Sequence, residues 1–198
     1  MTVLADEVVW DGRFPLQRVC FRYTRFDGTP SADLTWELWR RGRGCAVLPY
    51  DPVRDRVALI EQFRLPALAA GLPPVMVECP AGLVEEGEEF EATARREVAE
   101  EAGLRPERME RIGRFMLMQG GCDEVMEYFA ACVSLPERMA GGGLEAEGED
   151  TRVLVMPADD AFARADSGGI QNVTAALCLF WLRHHRERLR REWAEVSP

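Results

Sequence analysis

Carboxylates are concentrated in one short stretch near the middle of the chain. Eight of the residues from 85 to 101 are Glu, and positions 89–102 contain neither Gly nor Pro. This run predicts a helix over 89–102 that ends at Gly103. A Glu-rich helix most often presents a solvated face, here with Arg95 and Arg96 as partners. The angular positions of the carboxylates decide between that interpretation and a chemical site.

Helical geometry places two of these carboxylates among apolar residues. At about 100° per residue, an apolar arc runs from Phe90 to Val98, and Glu97 and Glu101 fall about 20° to either side of Phe90. Glu100 flanks the same arc. Carboxylates in a stripe that faces the core repel one another and lose hydration, so a cation must neutralise them.

The composition narrows the choice of that cation. The two histidines are the adjacent His184 and His185, no Lys occurs, and the six cysteines form no C-x-x-C pair. A histidine-based zinc site, a Ser-His-Asp triad and lysine chemistry are therefore excluded. An all-oxygen cluster suits Mg²⁺ or Mn²⁺, which bridge substrate phosphates. The residues alone predict metal-assisted phosphoryl chemistry.

Charge and patterning exclude further classes of partner. The formal net charge of -10 opposes general attraction to nucleic acid or anionic lipid. The longest uncharged apolar runs, 65–77 and 170–182, are too short to span a bilayer. Dispersed cysteines without a secretory leader indicate reduced thiols in a cytoplasmic protein. We expect neither a nucleic acid partner nor a membrane partner.

The glutamate cluster belongs to a longer pattern. The order G-x5-E-x7-R-E-U-x-E-E-x-G-U, in which U is a bulky aliphatic residue, is satisfied at all nine specified positions. These are Gly82, Glu88, Arg96, Glu97, Val98, Glu100, Glu101, Gly103 and Leu104. The stretch resembles the box of the Nudix hydrolases, and the pattern is specific because it fixes nine residues.

The resemblance implies a role for each residue of the box. Glu97, Glu100 and Glu101 would hold divalent cations, Mg²⁺ or Mn²⁺, with the backbone carbonyl of Ala81 as a further ligand. Arg96 would orient the glutamates, and Glu100 would take part in catalysis. The implied reaction is hydrolysis of a nucleoside diphosphate linked to another group.

The pattern of elements agrees with an α/β protein. The resemblance implies a Nudix fold, an α/β/α sandwich with a mixed sheet over 44–198, preceded by a small antiparallel β subdomain over 1–43. Alternating residues on either side of a turn at 27–30 predict a hairpin in that subdomain. The sequence further predicts strands at 46–50, 57–63, 116–118, 125–133 and 152–156, a loop at 66–74, a helix at 158–165, and a last helix from Asn172 that buries Val173, Leu177, Phe180 and Trp181.

Outside the box, the chain resembles the ADP-ribose pyrophosphatase branch of the family from about 41 to 193. This resemblance implies a homodimer that exchanges the N-terminal subdomain. It also implies substrate contacts at Arg41, Arg64, Leu83, Gly120 and Gly121. For Arg64, a surface arginine that closes a strand is the open alternative.

An acidic loop resembles the segment that carries the catalytic base in this branch. Glu147 aligns with that base and Glu149 with an additional carboxylate near the metal. A solvated, flexible loop is the alternative, because acidic loops are common. A loop that closes over substrate would suit a glutamate needed only in the closed state.

One segment differs from the pattern of this branch, and it leaves the choice of substrate open. Gln119 stands where the branch usually carries the Pro of a Ser-Pro-Gly element, and three glycines at 141–143 are similar to those of GDP-mannose hydrolases. The first expectation is Mg²⁺-dependent hydrolysis of ADP-ribose to AMP and ribose 5-phosphate. The alternatives are hydrolysis of GDP-mannose or another nucleotide sugar, and a non-catalytic nucleotide sensor.

Overall fold

The structure is a computed structural model that describes residues 1–136 and 150–194. It divides into two compact units, one formed by Met1–Arg43 with Phe115–Met126 and the other by the rest of the chain. The elements in chain order are β1 (Thr2–Trp10), β2 (Leu16–Arg22), β3 (Leu34–Trp39), β4 (Arg43–Asp51), β5 (Arg56–Phe63), α1 (Leu65–Ala69), β6 (Val75–Glu78), β7 (Ala81–Leu83), α2 (Phe90–Ala102), β8 (Arg108–Met116), β9 (Val125–Cys132), β10 (Thr151–Pro157), α3 (Ala158–Asp166) and α4 (Val173–Ala194).

The first unit contains a three-stranded antiparallel sheet in the order β1-β2-β3. Strands β2 and β3 form the predicted hairpin, with Val19 opposite Trp36. Gly28, in the turn, has a φ of 82°, a left-handed conformation that glycine adopts without strain. Every residue of β1 is exposed. The antiparallel β character predicted for this segment is confirmed.

The second unit contains a larger sheet in the order β10-β5-β4-β9-β8, with β6 paired to β5 and β7 paired to β4. Ile60 of β5 lies between Val153 of β10 and Glu78 of β6. Residues directly opposite one another point to the same face of a sheet, so this register fixes which side chains share the face near the box. The predicted α/β class is confirmed.

Helix α2 packs on that face of the sheet. Its apolar side, including Phe90, Ala94 and Val98, joins strand residues such as Val47 and Phe129 in one buried cluster. The helix ends at Gly103, whose φ of 64° is left-handed. The N–H of Leu104 donates to the carbonyl of Val98 at 3.2 Å, which closes the last turn.

The segment after β5 differs from its prediction. A short helix, α1, occupies the start of the stretch predicted as a loop, with a proline in its first turn. A proline at that position suits a helix start because its missing N–H would have had no partner within the helix. Strand β8 also begins eight residues before the strand predicted at 116–118 and ends where that strand was predicted to begin.

Helix α4 begins as predicted but buries a different face. The N–H of Ala175 donates to Oδ1 of Asn172 at 2.9 Å, which caps the helix. The prediction that Val173 and Phe180 are buried is wrong, since 66% and 48% of these residues are exposed. Ala175, Cys178, Leu179 and Leu182 are buried instead. In the described part of the chain, no helix is both long and apolar enough to cross a membrane.

Candidate active site

Two glutamates of α2 lie in the core-facing stripe, as helical geometry predicts. Glu97 is 8% exposed and Glu101 is 2% exposed. Because a buried carboxylate loses its hydration, it requires donors or a cation within the protein. Their environment therefore decides what this part of the molecule can do.

Strand β7 lies against these carboxylates and contacts both of them. Oε2 of Glu101 accepts a hydrogen bond from the N–H of Ala81 at 2.8 Å. A Cβ added to Gly82 would lie 1.9 Å from Oε1 and 2.1 Å from Cδ of Glu97, so the carboxylate of Glu97 would have to move to admit any other residue there. Two positions of the box that are distant in sequence thus meet at one point.

Arg96 contacts three carboxylates, one of which is that of Glu97. Its Nη1 lies 2.7 Å from Glu97 and 3.1 Å from Glu100, and its Nε lies 3.5 Å from Glu88. Partial burial alone would lower the pKa of Arg96, but Glu97 and the other carboxylates raise it above its ordinary value. The pKa of Glu88 is lowered, first by a hydrogen bond from Thr93 and further by Arg96. This arrangement agrees with an orienting role for Arg96.

The donor set fits a hard divalent cation by its chemistry. The carboxylates that Arg96 contacts outnumber its single guanidinium, and oxygen atoms are the ligands Mg²⁺ prefers. Among the described residues, no three acidic, histidine or cysteine side chains already stand in a coordinating arrangement. The carboxylates engage Arg96 and the N–H of Ala81 instead. The glutamates and the carbonyl of Ala81 as metal ligands stay a prediction.

Arg64 forms a two-point ion pair that the sequence did not predict. Its Nε lies 3.1 Å from Oε1 of Glu78, and its Nη2 lies 2.8 Å from Oε2. Glu78 is 5% exposed, whereas 39% of the Arg64 side chain is exposed. The register of Glu78 opposite Ile60 puts this pair on the face of the sheet where α2 packs. An acidic residue inside the apolar run 75–79 is the sequence signal that could have revealed it.

Arg41 and the glycines Gly120 and Gly121 lie in the first unit. The guanidinium of Arg41 stacks over Phe14, 4.1 Å from the ring centroid, and its Nη2 lies 3.1 Å from Glu124. The carbonyl of Gly121 accepts a hydrogen bond from the N–H of Trp39 at 2.8 Å. A cavity of about 620 Å³, lined by residues that include Phe14, Trp39 and both glycines, lies in the same unit. No sequence signal pointed to Phe14, which lies in the connection between β1 and β2.

Three further predicted site residues have different outcomes. Leu83 is half-buried on β7, opposite Gly44. Glu147 and Glu149 lie outside the described residues, so their roles stay predictions.

Comparison with known proteins identifies the class that this fold and box define. Residues 40–177 match the NUDIX domain family. The chain belongs to this family.

Characterised relatives extend over nearly the whole chain. An ADP-ribose pyrophosphatase of Escherichia coli (strain K12) is 37% identical over 192 residues, which cover 97% of this chain and 92% of the relative. An ADP-ribose pyrophosphatase of Haemophilus influenzae is 33% identical, over 96% of this chain and 89% of the relative. A GDP-mannose pyrophosphatase of Citrobacter koseri is 32% identical, over 92% and 94%. The predicted family, branch and pyrophosphatase class are confirmed.

A solved structure agrees on the fold. The crystal structure of an ADP compounds hydrolase superposes with a TM-score of 0.69 at 20% sequence identity, covering 96% of this chain and 95% of that one. The predicted Nudix fold is confirmed.

Proposed function

We propose that this chain hydrolyses the diphosphate bond of ADP-ribose to AMP and ribose 5-phosphate, with Mg²⁺ or Mn²⁺ as the cofactor. The observation that carries the proposal is the pair of buried carboxylates, Glu97 and Glu101, packed against strand β7, where Gly82 leaves room for the carboxylate of Glu97. Relatives named ADP-ribose pyrophosphatases over 97% and 96% of the chain support the choice of substrate.

Glu97, Glu100, Glu101 and the carbonyl of Ala81 would hold the cation. When bound, such a cation offsets the charge of a diphosphate and makes phosphorus more open to attack by water. Arg96 keeps Glu97 and Glu100 together through its guanidinium. Together, Glu97, Glu100, Glu101 and the carbonyl of Ala81 form a negatively charged site, called the glutamate cradle below.

The remaining roles belong to substrate binding and proton transfer. Arg64, held by Glu78 and 39% exposed, would bind a phosphate oxygen of the substrate. Arg41, stacked on Phe14, together with Gly120, Gly121 and Leu83, would contact other parts of the substrate. Glu147 would accept the proton of the attacking water, and Glu149 would lie near the metal. One P–O bond of the diphosphate breaks, and the oxygen of water ends on the phosphate it attacks.

The N-terminal sheet supports the proposal of a homodimer with exchanged N-terminal subdomains. Strand β1 leaves Val3, Val8 and Trp10 at least half exposed, which is unfavourable for an isolated strand in water. Light scattering during size-exclusion chromatography tests the proposal. A mass of two chains is expected, and the mass of a single chain would contradict it.

A GDP-mannose hydrolase is the second candidate. Gln119 in place of the expected Pro favours it, as does the relative named GDP-mannose pyrophosphatase at 32% identity. In this case the segment around Gln119 would set the preference for the sugar.

Product analysis separates these candidates. Purified protein is incubated with ADP-ribose, GDP-mannose, NADH or diadenosine polyphosphates, with Mg²⁺ or with chelator, and the products are identified by mass spectrometry. We expect AMP and ribose 5-phosphate from ADP-ribose, with the highest kcat/KM and only when Mg²⁺ is present. A higher kcat/KM for GDP-mannose would favour the second candidate. Absence of turnover on every substrate would favour a nucleotide sensor.

A further inference from the structure

Gln62 on β5 carries a buried oxygen without a partner. The residue is 8% exposed, and its Oε1 accepts no hydrogen bond from any described part of the chain. Leaving a buried acceptor unpaired is unfavourable, so such an atom in a folded protein calls for an explanation. A bound molecule that donates a hydrogen bond, such as water, is one such explanation.

The register places Gln62 on the face of the sheet against which the glutamates of α2 lie. Gln62 lies opposite Thr151 of β10, and the hydroxyl of Thr151 donates to the backbone carbonyl of Glu101 at 3.3 Å. Two residues back along the same face, Ile60 lies opposite Glu78, the partner of Arg64. The side chain of Gln62 therefore lies on the α2 face of the sheet, opposite Thr151 and two residues along β5 from Ile60.

The chemistry of the orphan atom restricts what it can bind. An amide oxygen is an acceptor, so the oxygens of a diphosphate cannot satisfy it, because they are acceptors as well. The O–H group of a hydroxyl or of a water molecule can donate a hydrogen bond to this oxygen. A water on a divalent cation is an especially strong donor because the cation polarises its O–H bonds, and Mg²⁺ in proteins usually keeps several waters.

We propose that Oε1 of Gln62 accepts a hydrogen bond from a water molecule carried by the divalent cation of the glutamate cradle. The inference rests on the proposed function for the existence of that cation. Gln62 is a positioning residue, since it acts on the cation and its water through one hydrogen bond. Removing such an outer partner typically weakens metal affinity about 10- to 100-fold.

Metal binding without substrate tests the inference directly. The dissociation constant for Mn²⁺ is measured by isothermal titration calorimetry on the full chain and on Gln62→Met, Gln62→Glu and Gln171→Met. Gln62→Met keeps the length of the side chain and removes the acceptor, whereas Gln62→Glu keeps an oxygen. Gln171→Met is the matched control at an exposed glutamine.

We expect Gln62→Met to weaken Mn²⁺ binding about 10- to 100-fold, and Gln62→Glu and Gln171→Met to bind at least as tightly as the parent. The thermal midpoint of Gln62→Met without metal should not fall, because the variant loses an unpaired buried group. Unchanged Mn²⁺ binding with a raised KM for ADP-ribose would overturn the inference in favour of a sugar hydroxyl. Failure of the parent protein to bind Mn²⁺ would instead overturn the metal site of the proposed function.

Discussion

Two arginine-centred clusters in the second unit are built from the same groups but differ in charge balance. In the first, Nε of Arg186 lies 3.0 Å from Asp55, its Nη1 lies 2.6 Å from Asp159, and Arg190 lies 3.5 Å from Asp55. In the second, Arg96 faces Glu97, Glu100 and Glu88. Within these contacts, two arginines share two carboxylates in the first cluster, whereas a single arginine contacts three carboxylates in the second.

The balanced cluster connects separate elements of the fold. It ties the turn between β4 and β5 to α3 and α4, and the hydroxyl of Tyr50 donates to Asp55 at 2.7 Å. Burial alone would raise the pKa of Asp55, but hydrogen bonds from Arg186 and Tyr50 lower it below its ordinary value. The same cluster raises the pKa of Arg186. Every charge in it has an opposite charge nearby.

In the unbalanced cluster, by contrast, the carboxylates outnumber the arginine that they contact. Like charges brought together in a partly buried place destabilise the fold unless a cation joins them. Both clusters contain ion pairs, so ion pairs alone do not identify a chemical site. An excess of negative charge distinguishes the proposed metal-binding site from a cluster that only stabilises the fold. This difference also makes opposite predictions for the two clusters, because neutralising a carboxylate should impair activity in one and stability in the other.

The largest expected effect is on turnover at Glu101, which lies on the same helix as the unbalanced cluster. Glu101→Gln should lower kcat for ADP-ribose by at least about 10²-fold, a typical loss for a group that acts on the transition state. Its free energy of unfolding should stay equal or rise, since one of several like charges is removed. Steady-state kinetics and urea unfolding measure the two quantities. Near-parental kcat would contradict the assignment of the site.

An intermediate effect on kcat/KM is expected for the ion pair of Glu78 and Arg64, which lies at the proposed site and has one charge of each sign. Glu78→Gln weakens the hold on Arg64 and should lower kcat/KM about 10- to 100-fold, the range for hydrogen bonds to charged groups, mainly through KM. A double-mutant cycle gives the control. If Glu78 acts through Arg64, Arg64→Ala combined with Glu78→Gln should be no worse than Arg64→Ala alone. Additive losses would show that the two residues act separately.

A moderate effect on stability is expected in the balanced cluster. Asp55→Asn should lower the free energy of unfolding at pH 7 by about 2 kcal/mol and leave kcat unchanged. Asn also tolerates the left-handed φ of 55° at this position, so backbone strain does not enter.

The pH dependence of that loss has a definite sign. The folded pKa of Asp55 is lowered, so its stabilisation is complete above the ordinary aspartate pKa of about 3.9. It is lost as the pH falls through the folded value, where the aspartate becomes protonated. Urea unfolding of both proteins from pH 7 down to pH 3 should show the difference shrinking below about pH 4. A difference that grows toward low pH would contradict the ion-pair account.

The smallest effect is expected for a solvated pair on the same helix as the site. Glu91 pairs with Arg95 at 2.8 Å with both side chains largely exposed. Glu91→Gln should change the free energy of unfolding by less than about 0.5 kcal/mol and leave kcat unchanged. It is the matched control for Glu101→Gln, because it removes one glutamate charge from α2 outside the core-facing stripe. A large loss of kcat here would indicate that the net charge of the helix matters rather than its pattern.

The sequence predicts the local parts of this site well. A run without Gly or Pro, ended by Gly103, predicts α2, and helical geometry places Glu97 and Glu101 beside its apolar residues. These features depend on residues within a few positions of one another. The box adds Gly82, whose role becomes clear only from the structure, where a Cβ at this position would lie 1.9 Å from Oε1 of Glu97.

Features that depend on strand register could not be predicted in this way. The pairing of Glu78 with Arg64 and the position of Gln62 opposite Thr151 require knowing which strands are neighbours and in what alignment. The buried face of α4 was misplaced for a related reason. Apolar residues occur around much of its first half, so the sheet beneath decides which of them are covered.

The central claim is that the excess negative charge around Arg96 is matched by a divalent cation. The most direct test is the thermal midpoint of the parent protein, Glu101→Gln and Asp55→Asn in rising MgCl₂, compared with NaCl at equal ionic strength. A ligand at about 100 times its dissociation constant stabilises a protein by about 2.7 kcal/mol, a shift of about 5 to 10 °C at this size. We expect that gain in the parent and in Asp55→Asn, and little or none in Glu101→Gln. An equal response of all three proteins, or no specific response of the parent to Mg²⁺, would contradict the claim.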